Sequence, residues 1–167
     1  MKRLLVILAV LTILPSMAFA QLGFGPAAFL KSPVLVGQPV DVDQLNVNQF
    51  SFGGDVRYRV GWFQAEGLVL YSLGEVSSLD AFLDAGVVVD IAIVSLSLGA
   101  GPNFTYNLGS DSPVQAGFNA KAGVDVWLGP VSVGVSYIMA MKVDDDFKVS
   151  VQTSSGLLGA QVLFWTR

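Results

Sequence analysis

Apolar and polar residues trade places at nearly every step along most of this chain. Between Val94 and Tyr106, the residues Val94, Leu96, Leu98, Ala100, Pro102, Phe104 and Tyr106 fall on one side of an extended backbone. Ser95, Ser97, Gly99, Gly101, Asn103 and Thr105 fall on the other. Successive side chains of a strand point to opposite faces, so this segment is a ribbon with one apolar and one wet side.

The same beat marks out eight segments. The first, near Leu22 to Lys31, is rich in Gly and Ala, and its two faces look alike. A polar stretch from Ser32 to Asn48 reads as a long loop. Phe50 to Val60 turns Ser51, Gly53, Asp55, Arg57 and Arg59 to the polar side, and Phe63 to Tyr71 adds Gln64 and Glu66, with Leu68 and Leu70 on the same face. Ser72 to Asp80 reads as a second loop. Ala81 to Ile91 places Asp84, Gly86, Val88 and Asp90 together; the fifth segment is the one quoted above. Asn107 to Pro113 is rich in turn formers. Val114 to Trp127 puts Gln115, Asn119, Lys121 and Asp125 on one face. Gly129-Pro130 turns the chain into the seventh segment, where Val131, Val133, Val135, Tyr137, Met139 and Met141 alternate. Val143 to Ser154 reads as a fourth loop, and Gly156 to Trp165 closes the series.

Connections after the odd-numbered segments are long or polar, and those after the even-numbered ones are very short. Transmembrane barrels show this alternation, with short turns on one side of the membrane, longer loops on the other and an even strand number. Segments of this length suit a tilted crossing of roughly 9–11 residues better than the soluble mode of about 5–6. Mean hydropathy is +0.62, and a closed barrel satisfies every backbone group in lipid while keeping its polar residues inside. The expected fold is therefore all-β: an eight-stranded antiparallel up-and-down transmembrane β-barrel.

The N-terminus carries a different signal. Lys2 and Arg3 precede an apolar run from Leu4 to Leu14; Pro15 and Ser16 break it, and Ala18-Phe19-Ala20 forms an A-x-A site before Gln21. The run is shorter than the roughly 20 residues of a spanning helix. Residues 1–20 are expected to be a cleaved signal peptide and residues 21–167 the barrel domain. No cysteine is present, so an exported chain must hold itself together without disulfides.

At this point the chain resembles the small eight-stranded outer-membrane barrels of the OmpA, OmpX and OmpW kind. The likeness is one of pattern and architecture over residues 21–167, with no motif that singles out one member. It implies a place in the cell outer membrane, with outer-membrane lipid and the barrel-insertion machinery as partners. Leu158, Ala160, Val162 and Phe164 match the alternating terminal strand that such machinery reads, although Trp165-Thr166-Arg167 follow the terminal aromatic. Aromatics add a girdle reading: Phe50, Phe52, Tyr71, Phe104 and Tyr106 at the outer rim, and Tyr58, Trp62, Phe63, Trp127, Phe164 and Trp165 at the inner one.

The inward charges are the candidate site: Asp55, Arg57, Arg59, Glu66, Asp84, Asp90, Lys121 and Asp125. If Gly61-Trp62 is a two-residue hairpin turn, Arg57 lies opposite Glu66 and Arg59 opposite Gln64. An eight-stranded interior is only just wide enough for side chains, so these groups are expected to pair and fill it. A gate is the sharper alternative, and five acids against three bases would then favour cations.

Other chemistry finds little support. Thirteen Asp and Glu against nine Lys and Arg give a net charge of −4, so no basic patch points to nucleic acid. With neither histidine nor cysteine, the commonest general base, the thiol nucleophile and the usual transition-metal ligands are missing; the expectation is no enzyme, no catalytic residue, no metal and no cofactor. Asp144-Asp145-Asp146 lacks a calcium-loop pattern, and the Asn103-Phe104-Thr105 sequon falls inside a strand. The function expected is a structural or surface-display barrel with a paired-charge lumen, meeting any extracellular ligand through its loops. A narrow channel for small solutes or small hydrophobic molecules, and a soluble exported barrel, are the alternatives.

Overall fold

The computed structural model describes residues 20–32, 47–73, 77–108, 114–143 and 149–166. Residues 1–19 of the expected signal peptide and the Asp144-Asp145-Asp146 run lie outside these residues. Eight strands follow one another: β1 (Ala20–Ser32), β2 (Phe50–Val60), β3 (Phe63–Ser72), β4 (Ser78–Ile91), β5 (Val94–Asn107), β6 (Val114–Leu128), β7 (Val131–Val143) and β8 (Val149–Thr166). Each pairs antiparallel with its neighbour in sequence, and β1 pairs with β8 to close the barrel. A 3-10 turn, Val47–Gln49, leads into β2.

Three tight hairpins close the end with short turns. Val60 pairs with Phe63, Ile91 with Val94 and Leu128 with Val131. Gly61 (φ 57°) and Gly129 (φ 75°) supply the positive φ that two-residue turns demand. Ala92 does the same at φ 57°, where its Cβ crowds the following carbonyl at a cost of about 1–2 kcal/mol.

Parity along the strands sorts the residues as the alternation predicts. On the outside, Phe24, Val56, Leu83, Val89, Leu98, Phe118 and Val135 are exposed. That leaves a continuous apolar surface of the kind lipid covers. β1, whose facing the sequence does not resolve, sends Gly23, Ala27 and Phe29 inward and Leu22 and Phe24 outward.

The strands run further than the pattern indicates. Ser72 and Ser78, inside the expected second loop, are cross-strand partners, and Asp80 pairs with Leu70. The expected fourth loop is shortened likewise, because β8 starts at Val149; its ladder with β7 shifts register between Met139 and Met141. At Ser72–Asp80 the inward-facing Ser72, Ser78 and Asp80, which belong to the polar interior, have the composition of a loop.

The girdle reading needs one correction. Trp127 and Trp165 point into the barrel, where Trp165 is buried, while Trp62 and Phe63 stay outside at 80% and 72% exposure. Parity decides this: Trp127 shares a face with Asp125, and Trp165 with Leu163.

Depth along a strand sets the cost of misplacing a charge. Ala120 sits in the middle of β6, pairing with Ala100 and Met139, whereas Val133 lies two residues from the start of β7. Ala120→Arg should cost about 2–4 kcal/mol and Val133→Arg about 0–1 kcal/mol. Urea unfolding in lipid vesicles measures both, and equal costs would refute the depth assignment.

Candidate functional site

The interior is stacked in layers between the short-turn end and the long-loop end. Arg57, on β2, is the centre of the ionic layer and is 1% exposed. The hairpin through Gly61-Trp62 sets its register, with Arg57 opposite Glu66 and Arg59 opposite Gln64. Arg57 Nε and Nη2 reach Asp55 Oδ2 at 3.0 and 2.9 Å, Nε also approaches Glu66 Oε2 at 3.3 Å, and Nη1 donates to Asp125 Oδ2 at 2.8 Å. One guanidinium thus ties β2 to β3 on one side and to β6 across the lumen. Its fixed fork of donors makes three such contacts possible at once.

The other cations extend this knot. Lys121 Nζ pairs with Glu66 Oε1, with Asp55 Oδ2 at 4.0 Å, and stands 5.7 Å from the centre of the Phe29 ring. Arg59 donates to Gln64 Oε1 at 2.7 Å and reaches Asp125 Oδ2 at 3.5 Å. Asp125 is steadied from the far side, because Gln161 Nε2 donates to its Oδ1 at 3.4 Å and Ser136 Oγ donates to Gln161 Oε1 at 3.0 Å. Gly134 makes room for that carboxylate: a Cβ there would lie 2.0 Å from Asp125 Oδ1.

Of the eight charged residues that the alternation singles out, six form the buried part of this network: Asp55, Arg57, Arg59, Glu66, Lys121 and Asp125. Asp90 sits at the short-turn mouth with 57% of its side chain exposed; it accepts from Ser95 Oγ and lies 3.5 Å from Arg59 Nη1. Asp84 faces Glu66 across the β3–β4 ladder but meets no cation directly; its Oδ1 accepts from Asn119 Nδ2 at 2.5 Å.

Two layers flank the ions. Towards the short turns, Trp127 and Trp165 lie 4.9 Å apart and Arg59 stacks against both, at 5.3 and 4.9 Å. Their indole N–H groups donate inward, to Ser95 Oγ at 2.5 Å and Ser132 Oγ at 2.8 Å. Beyond them an open recess of about 220 Å³ is lined by Gln21, Asp90, Trp127 and Trp165 among others. Towards the long loops, Ala27, Phe29, Leu68, Leu70, Phe82, Ile138 and Leu157 pack into one buried apolar cluster. Above it Asp80 accepts from Ser72 Oγ (2.6 Å), Ser78 Oγ (3.2 Å) and Thr105 Oγ1 (2.6 Å). The Trp pair and the Asp80 cluster lie outside the sequence-level site; parity with Asp125, Leu163 and Asp84 is the signal that places all three inside.

Among the described residues no three acids converge on a point where a metal ion would sit, and no helix is long and apolar enough to cross a membrane.

No family model matches the sequence, and no curated protein matches it either. Solved structures do match in fold. The N-terminal β-barrel domain of Pseudomonas aeruginosa OprF superposes with a TM-score of 0.62 at 15% identity, over 87% of this chain and 97% of that one. Neisserial surface protein A superposes with a TM-score of 0.50 at 20% identity, over 87% and 96%. The chain has the fold of the small eight-stranded outer-membrane β-barrels.

Removing one partner from a buried ion cluster leaves the others uncompensated, at about 3–5 kcal/mol. Arg57→Met strands Asp55, Glu66 and Asp125 together, so it should fall in that range. Asp90→Asn, at a solvated mouth, should cost no more than about 1 kcal/mol. Urea titrations of the two variants in vesicles check the contrast.

Proposed function

We propose that this protein is an outer-membrane barrel with a structural and loop-displaying role, and that its lumen is closed. One observation carries the reading: seven apolar residues from β1, β3, β4, β7 and β8 fill the half of the interior facing the long loops. Water entering from that side would have to displace Phe29, Leu68, Leu70 and Ile138, each at most 1% exposed. Beneath the plug, the ionic layer and the Arg59–Trp127–Trp165 stack occupy the remaining depth. An aqueous channel needs a continuous polar path, and a barrel of eight strands has little width to spare once its side chains are in place.

The same packing weighs against the alternative routes. Leu68, Leu70, Val88, Ile138, Leu157 and Leu163, which would line a path for small hydrophobic molecules, are instead packed at 9% exposure or less. A soluble exported barrel fits poorly with the exposed Phe, Leu and Val of the outer face. An outer-membrane setting fits both that face and the alternation of short turns and long connections. Processing before Gln21 by the export machinery belongs to the same proposal. With the short turns in the periplasm, the long connections reach the cell surface, where they would meet any extracellular partner. The lack of histidine and cysteine agrees with a role that needs no catalysis.

Single-channel recording tests the reading. Barrels refolded in detergent and added to a planar bilayer should give a heat-modifiable band on gels and no discrete conductance steps. Reproducible cation-selective steps that vanish on heating the protein would replace the structural role with transport.

A further inference from the structure

Gln21, the residue that follows the A-x-A motif, stands where its side chain has room to move. It is the second residue of β1 and shares its parity with Gly23, Ala27 and Phe29, which face the lumen. Gly23 leaves its own space to the Trp165 ring; a Cβ there would lie 2.8 Å from the indole. Gln21 is the next inward residue towards the short-turn mouth. It is half-buried, on the wall of the open recess of about 220 Å³ that Asp90, Trp127 and Trp165 also line.

Processing before Gln21, on which this inference rests, turns that residue into a chain end. Its backbone nitrogen becomes a primary α-amine on the same residue as a carboxamide. Attack of one on the other closes a small lactam ring, and an intramolecular step of this kind gains greatly from proximity. The ring forms only if the side chain can fold back on its own backbone. Tight packing forbids that movement, whereas the recess permits it. Arg59 is the cross-strand partner of Gln21, so the α-ammonium of an unmodified chain end would stand beside a cation, and like charges on paired residues repel. Asp90 brings a carboxylate to the same recess, with 57% of its side chain exposed.

We propose that Gln21 is a modification site: after processing it closes to pyroglutamate within the recess, with Asp90 as the proton carrier. The α-nitrogen forms a bond to Cδ of its own side chain, and the bond from Cδ to the amide nitrogen breaks. One proton passes from the attacking nitrogen to the departing one by way of the Asp90 carboxylate, directly or through a water. The departing nitrogen leaves as ammonia, and no oxidant, reductant or second substrate is consumed. The product is a neutral cap at the short-turn mouth. It is closed to enzymes that need a free α-amine, and it places no positive charge beside Arg59.

Mass spectrometry of the barrel purified from the outer membranes of an exporting host tests processing and cyclisation separately. The first peptide should begin at Gln21 and be lighter than its free-amine form by one ammonia. A different first residue would overturn the processing on which the inference rests. A chain that begins at Gln21 with a free amine would overturn the cyclisation alone. Rates then test the recess. A chain cut from a fusion partner to begin at Gln21 and refolded in detergent should cyclise severalfold faster than the same chain unfolded in guanidinium. Asp90→Asn, at a solvated mouth where the barrel tolerates it, should remove most of that advantage. Cyclisation no faster in the barrel than in the unfolded chain would overturn the role of the recess. An Asp90→Asn barrel as fast as the parent would overturn the assignment of Asp90.

Discussion

The interior depends on one constraint: a guanidinium buried at 1% exposure must be surrounded by acids or the barrel cannot hold it. Arg57 meets that demand with Asp55 beside it on its own strand, Glu66 on the next, and Asp125 across the lumen. The last contact matters most. Adjacent strands are already joined by backbone hydrogen bonds, whereas β2 and β6 meet only through side chains. The Arg57–Asp125 pair therefore braces the barrel across its width, and burial makes each of its charges costly to leave alone.

Everything else in the lumen arranges itself around that brace. Glycines provide the room, as Gly134 does for Asp125. Gln161 satisfies the Asp125 oxygen that the cations do not reach, and Gln64 adds a donor to Glu66 Oε2 beside Arg57. Arg59, bound to Asp125 from below, carries the brace to the Trp127–Trp165 pair that covers the short-turn side. On the opposite side the apolar cluster keeps water from competing for the ions, which is the condition under which buried pairs are strongest. With no cysteine in the chain, this packing and the closed strand ladder hold the barrel without any disulfide.

Much of this could be read along the sequence, because in a strand side-chain direction follows from parity. The Arg57–Glu66 and Arg59–Gln64 partnerships follow from a two-residue turn at Gly61-Trp62 and nothing more. Parity says less where both faces carry small residues, which is why β1 and the inward Phe29 stay ambiguous. It prevails at Trp127 and Trp165, where the preference of aromatics for membrane interfaces points outward but the alternation points in. Composition points the wrong way at Ser72–Asp80, since an interior filled with serine and aspartate looks like a loop. Contacts across the lumen, such as Arg57 with Asp125 or Asn119 with Asp84, lie beyond any local pattern. They depend on barrel closure and on how far each side chain reaches.

A dry, fully engaged Arg57 is the heart of this account, and its own proton reports it. Exchange of the Arg57 Nε–H with solvent, followed by NMR on the barrel folded in detergent micelles, measures that directly. The account predicts strong protection, with exchange far slower than for an arginine in an unfolded chain and comparable to the backbone amides of β2 and β3. Exchange at the rate of a freely hydrated arginine would mean that water reaches the ionic layer, and the closed lumen would have to be abandoned.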